Sequence, residues 1–198
     1  PGGLTAAYFL AREGYRVTVF EAGPTAGGML RVGIPEYRLP KEILDTEIES
    51  IKALGVEIKT NTPIGRDITL DDLRNEGFSG FFLAVGTHKG FRLNIEGESD
   101  FDGVIDCIDF LKRVNLSEEI HPGQRVVVVG GGHSAVDAAR TSIRLGAPDV
   151  VIVYRRSKDE MPAGEDEIQM AEQEGVKIRF LTIPKCVKGG DGKVTLLE

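Results

Sequence analysis

The stretch Val126-Val127-Val128-Val129-Gly130-Gly131-Gly132-His133-Ser134-Ala135 decides the fold of this chain. The valines predict a buried strand and the glycines a tight turn, and the alanine-rich run to residue 145, which Gly146 stops, predicts a helix. A further strand over residues 149–154 would close a βαβ unit. Such a turn lets the backbone approach a pyrophosphate, and the helix N-terminus offers it unpaired N–H groups. The stretch therefore predicts a dinucleotide site, with a glycine-rich turn of some other α/β protein as the alternative.

The first residues carry part of a second signature of the same kind. Gly3 precedes a predicted helix over residues 4–11, which Gly14 ends, and an alternating strand over residues 16–20 leads to Glu21. An acid at the end of the second strand of such a unit binds the hydroxyls of an adenosine ribose. A surface glutamate is the alternative for Glu21. Because neither a Met nor a strand precedes Pro1, we expect an internal fragment that lacks the first strand and the first two glycines of this motif.

Composition narrows the functional classes. The 198 residues are 41% hydrophobic and 28% charged, as expected for a soluble globular protein of one large or two modest domains. A net charge of −7 argues against nucleic acid and anionic membranes as partners, and no apolar run approaches the ~18 residues of a membrane span. Cys107 and Cys186 lie too far apart for a redox dithiol or a metal site. We expect a cytoplasmic protein.

The remaining elements alternate between helix and strand. The pattern predicts helices over residues 41–54, about 104–114 and up to 174. It predicts strands over residues 56–60, 78–85 and from 176. Thr69 and Asp72 predict a capping box, and residues 189–192 predict a β-turn. The Gly- and Pro-rich residues 22–35 predict an irregular loop that wraps a ligand. We therefore expect an α/β fold with two Rossmann-like dinucleotide-binding domains of the three-layer ββα type, both truncated. The polar linker 115–124 places their boundary between domains 1-115 and 116-198.

Several motifs resemble one known family. They are Gly27-Gly28-Met29-Leu30-Arg31-Val32-Gly33-Ile34-Pro35 with Tyr37-Arg38-Leu39-Pro40, the Gly130 to Ala135 turn with Asp137 and Ala139-Arg140-Thr141, and Tyr154-Arg155-Arg156 with Met161-Pro162-Ala163. Together they resemble the glutamate synthase small (beta) subunit family, which is similar to the pyridine nucleotide-disulfide oxidoreductases. This family includes the reductase portion of dihydropyrimidine dehydrogenase and, more distantly, adrenodoxin reductase.

The resemblance implies FAD on the first domain and NADPH on the second. The residues implied for FAD are Gly3, Glu21, Gly28, Leu30, Arg38, Ile64, Ala84 and Gly86. Those implied for NADPH are Gly130, Gly132, His133, Ser134, Ala135, Arg155 and Arg156. His133 stands where the family has Asn, which leaves its side-chain contact open. Glu167 resembles a family position near the nucleotide, with a solvated helix acid as the alternative.

Arg155 and Arg156 bear on the choice of nucleotide. They lie where an NAD-specific acid would stand, and a guanidinium there pairs with the ribose 2′-phosphate. NADPH is therefore favoured over NADH. A solvated pair of charges, and with it an NADH-linked reductase, is the alternative.

The implied reaction is hydride transfer from NADPH to FAD, followed by electron transfer to an iron–sulfur acceptor on a partner subunit or domain. The clusters would lie outside this chain. No catalytic acid or base is predicted, because the cofactors carry the chemistry. A non-catalytic dinucleotide-binding module is the alternative, and we expect the isolated fragment to be weak or inactive and to bind FAD poorly.

Overall fold

The computed structural model describes residues 1–198. It contains two compact units, Pro1–Thr87 and His88–Glu198. In both units helices alternate with strands that pair in parallel, so the predicted α/β class is confirmed. None of the helices combines the length and apolar character that a bilayer span requires.

The first unit is built on a two-stranded parallel sheet. Its elements are α1 (Gly2–Arg12), β1 (Thr18–Phe20), α2 (Met29–Val32), α3 (Lys41–Lys52), β2 (Glu57–Lys59) and α4 (Leu70–Asn75). β1 pairs with β2, with Val19 opposite Ile58. The capping box of α4 is confirmed: the Thr69 hydroxyl accepts from the Asp72 N–H at 3.1 Å, and the Asp72 carboxylate accepts from the Thr69 N–H at 2.9 Å.

Two predictions for this unit are wrong. The apolar residues 78–85 form no strand, and Leu83 and Val85 are 71% and 79% exposed. A strand needs a neighbour for its backbone groups, whereas β1 and β2 pair with each other and residues 79–87 make no backbone hydrogen bond. The loop 22–35 is not wholly irregular either, since α2 lies within it.

The second unit contains a three-stranded parallel sheet in the order β3-β4-β5. Its elements are α5 (Cys107–Asn115), β3 (Arg125–Val129), α6 (His133–Arg144), β4 (Asp149–Val153), α7 (Glu165–Gln173), β5 (Lys177–Arg179) and a hairpin of β6 (Val187–Gly190) and β7 (Lys193–Leu197). Ile152 of the central strand is fully buried, opposite Val128. Small residues such as Ala138 and Ala139 let α6 pack closely, and eight consecutive residues of this helix are buried.

Residues 88–115 pack with the second unit, although the predicted boundary follows them. Val187 donates its N–H to the Glu96 carbonyl at 2.8 Å, and Val194 donates to the Asp102 carbonyl at 2.9 Å. Helix α5 packs against α6. These contacts explain why the units divide after Thr87, while the assignment of 1-115 to FAD and 116-198 to NAD(P)H stays a prediction.

Candidate dinucleotide sites

The glycine turn of the second unit joins β3 to α6 over a short distance. The Gly130 N–H donates to the Val153 carbonyl at 3.0 Å, so β4 fixes the start of the turn. Gly130 has a φ of 139°, a conformation that favours glycine. A Cβ on Gly130 would lie 3.4 Å from the Cβ of Ala135. The small side chain of Ala135 therefore suits the close approach of helix to strand.

The N-terminus of α6 is open to an anion. Gly132 is its N-cap, no side chain caps it, and its first turn carries no acidic residue. By contrast, Asp106 caps α5, and the first turn of α7 holds three acids. Unpaired N–H groups and the helix dipole favour negative charge at such an end. The predicted residues His133 and Ser134 are exposed on this first turn.

Gly131 lies within the predicted turn from Gly130 to Ala135, and the structure shows a packing role for it that the motif did not specify. A Cβ on Gly131 would lie 2.6 Å from the ring of Tyr154, so only glycine fits. The Gly131 carbonyl accepts from the Ala163 N–H at 3.0 Å, and the Tyr154 hydroxyl donates to the Glu160 carbonyl at 2.7 Å. The ring of Tyr154 thus packs directly against Gly131 of the turn. The sequence signal for this role is the run of three consecutive glycines, Gly130 to Gly132.

His133 and Glu167 are brought together from α6 and α7. The Nδ1 atom of His133 lies 2.6 Å from a carboxylate oxygen of Glu167. The His133 side chain is 61% exposed and that of Glu167 only 19%. Glu167 is therefore held beside the glycine turn, and its contact with a nucleotide stays a prediction.

Arg155 and Arg156 follow β4 after Tyr154, and both are exposed. The Arg156 carbonyl accepts from the Leu181 N–H at 3.1 Å, which fixes the backbone here. Neither guanidinium has a hydrogen-bond or ion-pair partner within the chain, so both can bind a phosphate. A cavity of about 310 Å³ lies beside the following segment, lined by Lys158, Asp159, Met161, Ala163, Glu165 and Ile168.

In the first unit, several residues predicted for FAD meet at the start of α1. A Cβ on Gly3 would lie 3.3 Å from the Cβ of Ala84, and one on Gly28 would lie 3.4 Å from Cδ of Pro1. The first turn of α1 carries no acid and its N-cap makes no side-chain hydrogen bond. This N-terminus therefore has the same open character as that of α6.

Glu21 is held rigidly where β1 ends. Its N–H donates to the Lys59 carbonyl and its carbonyl accepts from the Thr62 N–H, both at 2.9 Å. One carboxylate oxygen accepts from the Gly23 N–H at 2.7 Å. Because the second oxygen has no partner within the chain, it can accept a hydrogen bond from a hydroxyl group.

The other residues predicted for FAD lie apart from this cluster in the sequence. Leu30 belongs to α2, and Gly86, with a φ of 67°, ends the exposed segment 79–86. Arg38 and Ile64 lie in two separate exposed segments. Their roles stay predictions.

The thiol of Cys107 is unsuited to thiolate chemistry. Both cysteines of the chain are free. Burial, with a smaller contribution from the charge of Asp106, raises the pKa of the Cys107 thiol to about 11. A thiol that is protonated at neutral pH is a poor nucleophile.

Comparison with known proteins identifies the family of this chain. A sequence profile of the pyridine nucleotide-disulphide oxidoreductase family matches residues 1–198. The NADP(+)-dependent formate dehydrogenase subunit beta of Moorella thermoacetica is 48% identical, over 98% of this chain and 28% of its own length. The glutamate synthase [NADPH] small chain of Escherichia coli K12 is 39% identical, over 98% of this chain and 43% of its own length. The chain thus spans less than half of each relative.

A solved structure shows the same fold. Mycobacterium tuberculosis FprA in complex with NADPH superimposes with a TM-score of 0.76 at 20% identity, over 99% of this chain and 64% of that one. The Rossmann-like fold, the resemblance to the glutamate synthase small subunit and the oxidoreductase class are confirmed. The chain belongs to the pyridine nucleotide-disulphide oxidoreductase family, whose cofactors are FAD and NADPH.

Proposed function

We propose that this chain forms the nucleotide-binding part of a flavoprotein oxidoreductase that passes hydride from NADPH to FAD and electrons onward to an iron–sulfur acceptor. The observation that carries the proposal is the second unit's combination of an uncapped helix N-terminus with two unpaired arginines. An anion site and a pair of guanidinium groups are what a dinucleotide with a 2′-phosphate requires.

The second unit fits NADPH group by group. Gly132 leaves room for a pyrophosphate against the N-terminus of α6, since nothing lies within 4 Å of a Cβ there, while Gly130 and Gly131 let the turn pack closely on Ala135 and Tyr154. Arg155 and Arg156 supply the positive charge for the 2′-phosphate. The bound nucleotide supplies the hydride, and the protein's task is to orient it.

The first unit fits FAD through a second open helix end. Gly3 packs closely beside Ala84 and Gly28 beside Pro1, so the absence of a Cβ on these glycines lets the predicted residues come together at the start of α1. The carboxylate of Glu21 is already oriented by the Gly23 N–H, so ribose hydroxyls would meet a preorganised acceptor. Hydride transfer needs no further acid or base from these residues.

The relatives support a partner that accepts electrons. The Moorella protein is named as a beta subunit and the Escherichia coli protein as a small chain, so each assembles with other subunits. We extend this to the present protein as an iron–sulfur subunit or domain. The two free cysteines fit a reducing compartment such as the cytoplasm.

The arginine pair gives the decisive test. In the full-length protein, Arg155→Ala with Arg156→Ala should weaken NADPH binding by about 100-fold, since a hydrogen bond to a charged group contributes ~1.5–3 kcal/mol. NADH binding should stay within about twofold, because NADH has no 2′-phosphate to lose contact with.

Arg125→Ala is the matched control, because this exposed arginine begins β3, at the opposite end of the strand from the glycine turn. It should change neither affinity. An equal loss for both nucleotides, or a wild-type preference for NADH, would favour the NADH-linked alternative. Binding of both cofactors without flavin reduction would favour the non-catalytic module.

A further inference from the structure

We infer that Lys41 and Arg31 are positioning residues for flavin binding, because they fasten the flavin loop, residues 26–34, onto helix α3. The inference rests on the proposed function, since it concerns the loop that carries Gly28 and Leu30. Neither Lys41 nor Arg31 was among the predicted binding residues. Both act on the backbone of the loop.

The flavin loop cannot keep its shape by its own local structure. Its only helix, α2, has four residues, and short isolated helices are unstable in water. Gly27 and Gly28 precede it with φ values of 127° and 56°. Glycine in such conformations gives the chain freedom that other contacts must remove. The order of this loop therefore comes from tertiary contacts.

Lys41 fastens the C-terminal half of the loop. It is the first residue of α3, and its Nζ donates to the carbonyls of Ile34 at 2.5 Å and Leu30 at 3.2 Å. A cation at the C-terminal end of a helix satisfies carbonyls that have no partner within that helix. Burial lowers the pKa of the Lys41 ammonium, opposed by the nearby charge of Glu36. The partly buried ammonium of Lys41 is therefore stabilised by its hydrogen bonds to those two carbonyls.

Arg31 holds the N-terminal half of the flavin loop. Its Nε donates to the Ala26 carbonyl at 3.0 Å, and its Nη2 donates to the carboxylate of Asp45 on α3. The Arg31 side chain is only 12% exposed. The hydrogen bond from Arg31 lowers the pKa of Asp45, because the guanidinium favours the charged carboxylate. A Cβ on Gly27 would lie 2.9 Å from Leu44 Cδ2 of α3, which shows how closely the loop lies on the helix.

The two attachments enclose Gly28 and Leu30. Because the loop is held at both sides of these residues before any ligand arrives, binding does not have to order it. Loss of either attachment should therefore weaken flavin binding even though neither cation needs to touch the flavin. NADPH binding on the second unit should not change.

Lys41→Met in the full-length protein tests this inference. FAD affinity is measured by reconstitution of the apoprotein, the environment of bound flavin by its visible circular dichroism, and NADPH affinity in parallel. We expect FAD to bind about 10-fold more weakly or worse, with an altered dichroism spectrum and unchanged NADPH affinity, since a hydrogen bond to a charged group contributes ~1.5–3 kcal/mol. Lys41→Arg, which keeps the donors, should restore much of the affinity.

Lys52→Met is the matched control, because this lysine of α3 forms an exposed ion pair with Glu49 and lies at the other end of the helix. It should leave FAD affinity unchanged. Equal FAD affinity in the Lys41→Met and Lys52→Met proteins would overturn the inference.

Asp45→Asn decides the matter if Lys41→Met does not fold. It removes the charge that anchors Arg31 at an exposed position, and we expect FAD affinity to fall about threefold or more. Wild-type affinity in Asp45→Asn would then overturn the inference. A wild-type protein that binds no FAD would instead contradict the proposed function, so the two failures are distinguishable.

Discussion

The two units of this chain present similar helix ends on very different supports. In the second unit a strand precedes the glycine turn, and β4 lies between two parallel neighbours with Ile152 fully buried. In the first unit the sheet has two strands, and residues 79–87 are exposed without backbone partners. An open helix end is thus a local property, whereas the rigidity of the site around it depends on the sheet.

The largest effect should come from removing the core beneath the second site. Ile152→Ala creates a cavity in the central strand and should lower the free energy of unfolding by about 2–5 kcal/mol. Urea unfolding of the full-length protein, followed through the second unit, measures this. If the free energy of unfolding falls by less than about 1 kcal/mol, the buried core of the three-stranded sheet does not stabilise the second unit in the way that the comparison with the first unit requires.

Gly131→Val tests how closely the glycine turn of the second unit packs on Tyr154. Its side chain would collide with the ring of Tyr154, so stability should fall by about 1–3 kcal/mol and NADPH binding should be lost. Calorimetry and a nucleotide titration measure the two effects. Gly132→Ala is the steric control, because nothing lies within 4 Å of a Cβ there. Comparable loss of stability in both variants would refute the role assigned to Tyr154.

Glu174 should make the stability of the second unit depend on pH. It bonds the guanidinium groups of Arg140 and Arg144 on α6, with distances of 2.6 to 3.0 Å. Hydrogen bonds from Arg144 and then Arg140 lower its pKa from 4.5 to about 2. Because the pKa is lower in the folded state, the stabilisation is complete above pH 4.5 and is lost as the pH falls from 4.5 towards 2.

Glu174→Gln should therefore cost about 1–2 kcal/mol at pH 7, discounted because Arg144 is partly in water, and much less near pH 2. Urea midpoints at several pH values measure the difference. Glu172→Gln is the control, since Glu172 is exposed on the same helix. A difference between wild type and Glu174→Gln that does not shrink in acid would contradict this account.

The smallest effect is expected in the first unit. Leu83 is apolar but 71% exposed, so Leu83→Ala should change the free energy of unfolding of residues 1–198 by no more than about 0.5 kcal/mol. Urea unfolding of residues 1–198 measures this change. A loss of 2 kcal/mol or more would show that this segment is buried and that the contrast between the units is smaller than described.

Sequence patterns predicted the local features well. The helix after Gly3, the β3–α6–β4 unit and the Thr69 capping box follow from side-chain periodicity and from residues a few positions apart. The predicted strand over residues 78–85 failed because pairing depends on a distant partner. Helix α2 was missed because its order depends on contacts with residues outside it: Lys41 of α3 binds the Leu30 carbonyl, and Arg31 of α2 binds Ala26 and Asp45.

The candidate sites divide in the same way. The glycines, the arginine pair and Glu21 are visible as motifs. The contact of His133 with Glu167 and that of Gly131 with Tyr154 are not, because 34 and 23 positions separate the partners. The packing of α6 and α7 brings His133 to Glu167, and the pairing of β3 with β4 brings Gly131 to Tyr154.

The proposed function depends on one step, the delivery of hydride from NADPH to a flavin held by the same protein. Anaerobic titration of the full-length protein with NADPH, with flavin absorbance followed in the visible region, tests it most directly. We expect stoichiometric bleaching of the flavin by NADPH and much slower bleaching by an equal concentration of NADH. Bound flavin that keeps its absorbance in the presence of saturating NADPH would contradict it.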